Sequence, residues 1–138
     1  DVLTYIGVPE NITYTYSEAG KPDIKEINCK FNISHSGDYV VLAAAKKPVG
    51  IDIQRIKPFF DSRIAERFFG VRERMCRSDE DFYRLWTRKE AYAKLKGESL
   101  VGYLDMDMTD TSIENMQDVI FGEVEMTEPY ICTYSYML

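Results

Sequence analysis

The 138-residue sequence predicts an α+β fold, with helices packed on a largely antiparallel sheet. Three observations carry this. Short strand-like runs dominate before residue 54, a helical period takes over from about residue 58 to Gly97, and strand character returns in "VIFGEVEM" and "YICTYSYML". With 45% hydrophobic residues, the chain has the composition of a domain with a real core.

The first elements are "NITYTYS" and "KFNIS", separated by the turn signal "EAGKPD" with Gly20 and Pro22. "HSGD" links the second run to "DYVVLAAA". "KKP" then links that run to "VGIDI", so these two are expected to form a hairpin. "DSRIAERFFG" reads as a short helix capped by Asp61 or Ser62, with Gly70 just past its end. A longer helix starts at Ser78, where "SDED" resembles a capping box with aspartate in place of glutamate. Phe82, Leu85, Trp86 and Ala93 recur at helical spacing, and Gly97 ends the run.

Net charge is −6 but unevenly spread. Residues 46–96 hold 14 Lys and Arg against 8 Asp and Glu, a balance of +6, so the remainder carries −12. A basic segment inside an acidic chain points to a local anion site and away from a nucleic-acid surface. No apolar run reaches the length of a membrane span, so no membrane partner is expected. Cys29, Cys76 and Cys132 are far apart and odd in number, and His35 is the sole histidine. That argues against zinc and against a disulfide framework, and makes a reducing cytoplasm the expected compartment.

Two stretches carry the chemistry. In "LWTRKEAYAKLKG" (85–97), Lys89 falls inside the apolar arc of the helix, and Glu90 and Lys94 form an i,i+4 pair at its edge. Alone, that pair reads first as structural. "VGIDIQ", however, is an apolar strand interrupted by Asp52, and a carboxylate buried there needs a partner. A divalent cation shared by Asp52 and Glu90 satisfies both. Two carboxylates suit magnesium, which keeps waters and accepts phosphate oxygens, and manganese is the alternative ion. The chemistry this implies is metal-assisted phosphoryl-type transfer. "FNISHSG" adds a strand ending in Ser34, His35 and Ser36 at a glycine turn, expected to bring hydroxyls and an imidazole to one point; an ordinary surface His35 is the simpler reading. A Ser-His-Asp hydrolase fits less well, since adjacent side chains diverge along a strand and no nucleophile-elbow sequence is present.

Taken together, "GKP" (20–22), "FNISHSG" (31–37), "VGIDI" (49–53), "RFF" (67–69) and "LWTRKEAYAKLKG" resemble a 4′-phosphopantetheinyl transferase of the surfactin type. The resemblance implies a pseudo-dimeric, monomeric enzyme. Residues 1–48 would be the end of a first repeat whose amino-terminal part is incomplete in this chain, and residues 49–138 the second repeat. It implies transfer of the phosphopantetheine arm of coenzyme A to a serine of an acyl or peptidyl carrier protein. Asp52 and Glu90 would hold magnesium, Glu90 would also be the general base, and Lys94 would sit on the pyrophosphate. Lys21, Ser34 and His35 would hold the bisphosphate end of coenzyme A, and Lys89 would orient the helix or touch phosphate. Gln54 stands where the family often has a second carboxylate, so it would be a weaker ligand or act through water. "KPFFDSRIAERFFGVRER" would be the carrier-docking surface, with Phe59 and Phe60 exposed and Arg63, Arg67 and Arg72 on its rim. Phe68 and Phe69 read first as core. A non-catalytic binder of carrier proteins or nucleotides is the rival reading, and a nucleotide phosphohydrolase the third.

Overall fold

The computed structural model describes residues 11–58, 62–75 and 78–138. Phe59, Phe60, the Asp61 cap and Cys76 lie outside the described residues. Seven strands are present among them: β1 (Tyr14–Tyr16), β2 (Pro22–Ile24), β3 (Lys30–Ser36), β4 (Tyr39–Ala45), β5 (Val49–Arg55), β6 (Val119–Val124) and β7 (Tyr130–Met137). The helices are α1 (Ser62–Phe68), α2 (Asp79–Lys96) and the short α3 (Asp110–Glu114), with 3-10 turns at Glu73–Met75 and Leu100–Tyr103. All strand pairs are antiparallel: β1 with β2, β3 with β4, and a three-stranded sheet ordered β5-β7-β6. The mixed architecture and the antiparallel pairing match expectation.

One connection differs. The expected hairpin between β4 and β5 does not form; β4 pairs with β3, and β5 pairs with β7 from the far end of the chain, Val49 opposite Tyr136 and Arg55 opposite Tyr130. Pro48, which cannot donate to a ladder, instead accepts Met137 N through its carbonyl at 3.2 Å and starts the β5–β7 pairing. "GKP" likewise contributes the extra strand β2, which folds back on β1 with Tyr14 opposite Ile24.

Helix α2 is bounded as its sequence demands. Ser78 accepts Asp81 N at 3.0 Å, satisfying an otherwise orphaned donor, and Gly97 closes the helix in the left-handed conformation at φ 70°. The helix crosses the β5–β7 sheet at its tightest point over Gly50, where a Cβ would lie 1.9 Å from Ala91 O. Hydroxyls stitch the same interface: Ser135 Oγ donates to Ala91 O at 3.0 Å, and Thr87 and Thr133 share a bond of 2.7 Å.

Two apolar clusters flank this sheet. Ala65, Phe69, Phe82, Leu85 and Met108 pack between α1 and α2, with Phe68 edge-on to Trp86, so Phe69 is core and Phe68 packs against it. Ile51, Ile53 and Cys132 pack with Tyr39, Val41 and Ala43 from β4. β5 is therefore covered on both faces, which is why its sequence is almost continuously apolar.

Candidate active site

The site is built on the free edge of β5. β7 takes one edge of that strand, and the other meets side chains instead of a partner strand. Every second residue of β3 reaches across: Asn32 Oδ1 accepts Ile51 N at 2.7 Å, Ser34 Oγ accepts Ile53 N at 3.3 Å, and Ser36 Oγ accepts Arg55 N at 2.9 Å. Two lysines serve the carbonyls. Lys21 Nζ donates to Val49 O at 2.7 Å and Lys94 Nζ to Ile51 O at 3.3 Å. A strand edge left open would be a template for aggregation, and here side chains occupy it.

Asp52 lies at the centre. It is 2% exposed, and its Oδ1 receives Lys94 Nζ at 2.6 Å and the Ser34 hydroxyl at 2.9 Å. The expected partner of Lys94 was Glu90; the ion pair goes to Asp52, because Lys94 extends from the helix onto the strand. Gln54 Nε2 donates to Asp52 Oδ2 at 3.2 Å. Gln54 thus orients the carboxylate, and direct ligation of a cation by its oxygen would require the amide to turn over.

Glu90 is one turn before Lys94 and half-buried, and among the described residues it makes no ion pair or hydrogen bond. Burial first, and the Asp52 charge second, raise its carboxyl above the usual range, with Lys94 acting weakly the other way. Two carboxylates near enough to repel, one of them unpartnered, form a donor set that fits one added cation. No cluster of three or more Asp, Glu, His or Cys suited to a metal occurs among the described residues, so water or a ligand would have to complete its shell. Cys132 is nearby, but burial and then Asp52 push its thiol up to about 11, so it stays protonated and is no nucleophile at neutral pH.

The remaining expected residues fall in different places. Lys21 borders a cavity of about 310 Å³ with Lys30, Lys96, Tyr16 and Gly97, and burial draws its ammonium down to about 8 against the opposing pull of Asp23. His35 does not join Ser34. Strand alternation turns Ser34 inward and His35 to the exposed face, where it sits opposite Val40 and beside Ile33. Lys89 is fully buried, and its ammonium is held by Glu73 Oε2 at 2.8 Å, Leu104 O at 2.9 Å and Met106 O. Its three N–H groups are all committed, which leaves none for a phosphate and fits the helix-orienting role. Glu73, not anticipated from the sequence, also accepts Gly70 N and Met108 N. Its signal was the lone acid in "FFGVRERM", downstream of a helix-ending glycine.

The family model described as the 4′-phosphopantetheinyl transferase superfamily matches residues 48–133. The chain is 34% identical to the 4′-phosphopantetheinyl transferase gsp of Aneurinibacillus migulanus, over 96% of this chain and 62% of that protein. It is 36% identical to the 4′-phosphopantetheinyl transferase Sfp of Bacillus subtilis, over 90% of this chain and 58% of that protein. With psf-1 of Bacillus pumilus the identity is 43%, over 66% of this chain and 42% of that protein. The chain thus spans less than two thirds of the length of these curated relatives. No helix among the described residues is long and apolar enough to cross a membrane. A family match over most of the chain, centred on the strand of Asp52 and the helix of Glu90 and Lys94, places it in the 4′-phosphopantetheinyl transferase superfamily.

Proposed function

We propose that the protein transfers the 4′-phosphopantetheine arm of coenzyme A to a serine of an acyl or peptidyl carrier protein, with magnesium as the ion. The observation that carries this reading is the half-buried, unpartnered Glu90 carboxylate beside an Asp52 already held by Lys94 and Ser34. Asp52 and Glu90 would hold the ion, and Gln54 would keep Asp52 turned toward it. When bound, magnesium supplies charge neutralisation for the diphosphate.

The carrier serine oxygen attacks the β-phosphorus of coenzyme A. The new P–O bond forms as the bond to the leaving phosphate breaks, releasing adenosine 3′,5′-bisphosphate. Glu90, placed beside Asp52, takes the serine proton. Lys94, 28% exposed, can swing its ammonium from Asp52 to the diphosphate and balance charge on the departing oxygen. Lys21 and its lysine-bordered cavity suit the bisphosphate end; His35, on the exposed face of β3, is not among the residues that line this cavity.

The excess of Lys and Arg over residues 46–96 suits an acidic carrier surface. Residues 1–48 read as the end of a first pseudo-repeat and 49–138 as the second, in a monomer working in the cytoplasm. The test is incubation of the full-length protein with coenzyme A, Mg²⁺ and apo-carrier, followed by mass spectrometry of the carrier. One phosphopantetheine added per carrier is the expected result. No addition by well-folded protein would favour a non-catalytic binder. Phosphate release from nucleotides without a carrier would favour a phosphohydrolase.

A further inference from the structure

The groove along α2 has a direction. At its carboxyl end Lys21 Nζ donates to Val49 O at 2.7 Å and reaches Leu95 O at 3.5 Å, and the cavity beside Lys21 runs on to Lys96 and Gly97. Lys94 meets Asp52 further along β5, and Glu90 lies one helical turn back. Coenzyme A held in that cavity and reacting at Glu90 leaves the amino-terminal half of α2 for the molecule that attacks it.

The arginines of residues 63–74 differ in what they can offer there. Arg74 donates to Glu66 O at 2.7 Å and to Phe69 O at 2.9 Å, so it caps α1. Arg63 is already engaged within the chain. Arg72 borders a cavity with Asp81, Arg84 and Arg88, which lie roughly 120–180° around α2 from Glu90. Arg67 is placed differently. Its guanidinium rests 5.3 Å from the centroid of the Phe68 ring, and Phe68 meets Trp86 edge-on at 5.4 Å. Trp86 is one turn before Glu90 and about 40° from it on the helix. Arg67 is exposed and has no ion pair among the described residues. Ile64, one turn before Phe68 on α1, is 38% exposed. An unpaired cation thus stands beside an apolar shelf on the side of α2 that carries Glu90.

We propose that Arg67 and the shelf of Ile64, Phe68 and Trp86 dock the carrier protein: the guanidinium pairs with an acidic side chain near the modified serine, and the shelf covers an apolar neighbour. This rests on the transfer reading above and adds which surface of the chain recognises the partner. Charge chooses the occupant. A guanidinium stacked on an aromatic face keeps its in-plane N–H groups free for a carboxylate. The excess of Lys and Arg over residues 46–96 favours an acidic partner in the same way.

Arg67→Glu is expected to raise KM for the carrier about tenfold or more, with KM for coenzyme A and kcat at saturating carrier within about twofold. Arg67→Met keeps an apolar stem on Phe68 without the charge, and it should move the carrier KM in the same direction. Arg72→Glu, on the far face of α2, should change that KM by less than about twofold. An unchanged carrier KM in Arg67→Glu, or an equal rise in Arg72→Glu, would overturn the proposal. So would loss of self-association in Arg67→Glu with the carrier KM unchanged, since a second copy would then cover the shelf.

Carrier binding without turnover separates docking from catalysis. A carrier whose acceptor serine is replaced by alanine should bind the unsubstituted protein, and bind Arg67→Glu about tenfold more weakly. Binding that depends on Arg67, in a protein that transfers nothing, would sink the transfer reading and keep the docking surface. Normal transfer with binding indifferent to Arg67 would do the reverse.

Discussion

The Lys89 ammonium lies 2.8 Å from Glu73 Oε2 with both side chains at 0% exposure, one residue from a carboxylate that has no partner among the described residues. Consecutive residues of one helix thus meet opposite fates. Lys89 turns into the core beneath Phe69 and ties α2 to the turn after Gly70 and to the segment 104–108. Glu90, about 100° further round the helix, opens toward Asp52. The clamp fixes the rotation of α2 and with it the direction of Glu90.

Removing one partner of such a pair strands a buried charge. Lys89→Met is expected to cost about 3–5 kcal/mol, and Glu73→Gln a similar amount. The double substitution should recover part of the loss, since two neutral groups need no compensation. Denaturant melts of the four proteins measure the coupling. Strict additivity of the two single costs would mean that the pair is not a unit.

Glu90→Gln should leave the fold intact and lower transfer about 100-fold or more, the usual contribution of a positioned base. Stability should move the other way in metal-free protein. The folded carboxyl binds its proton more tightly than the unfolded one, so stability declines as pH rises from the ordinary carboxylate value through the raised one. At neutral pH the unsubstituted protein therefore carries a penalty that the glutamine variant lacks. Glu90→Gln should have the higher Tm without Mg²⁺ at pH 7, and the gap should close in acid below that window. Added Mg²⁺ should raise the Tm of the parent and not of the variant. A parent Tm indifferent to Mg²⁺ would remove Glu90 from the metal site.

Much of this arrangement was legible in the sequence, and the failures have physical causes. An apolar strand broken by one aspartate announced a buried charge, and the Ser78 and Gly97 caps marked both ends of α2. The partner of that charge was not legible. The helical period places Glu90 and Lys94 on one edge, but it cannot say that the lysine reaches a strand 42 positions earlier. Ser34 and His35 were expected to converge, although a two-residue period sends neighbours to opposite faces, and that rule alone could have separated them. The β4–β5 hairpin failed for a different reason. Short loops favour local pairing, but β5 is claimed by β7 on one edge and by β3 side chains on the other.

Lys21 supports a prediction about protons. Burial lowers its ammonium to about 8, so near that pH the ligand-free protein is a mixture of charged and neutral forms. A phosphate bound beside it favours the charged form and raises the value. Lys21 should then contribute proton uptake to coenzyme A binding just above pH 8 and none near pH 6, where it is already charged. Calorimetry in two buffers of different ionisation enthalpy reads the uptake directly. Lys21→Arg, always charged, should bind with no uptake. Equal uptake by the arginine variant would assign the proton to another group.

Gly50→Ala tests whether the site depends on how closely α2 approaches β5. The added Cβ would lie 1.9 Å from Ala91 O and 2.6 Å from Leu95 N, and both are backbone atoms that no rotamer change can move aside. The helix must lift or slide, at a cost of about 3 kcal/mol from overpacking. The lift falls at Ala91 and Leu95, so it should draw Lys94 off Asp52, carry Glu90 with it, and take Ala91 O from Ser135 Oγ. Transfer should therefore fall by more than the population of unfolded protein explains, with the apparent affinity for Mg²⁺ falling in parallel. Measuring both at a temperature where the variant is fully folded separates site geometry from stability. Normal turnover and normal Mg²⁺ dependence in folded Gly50→Ala would show that the spacing of helix and strand does not govern the chemistry.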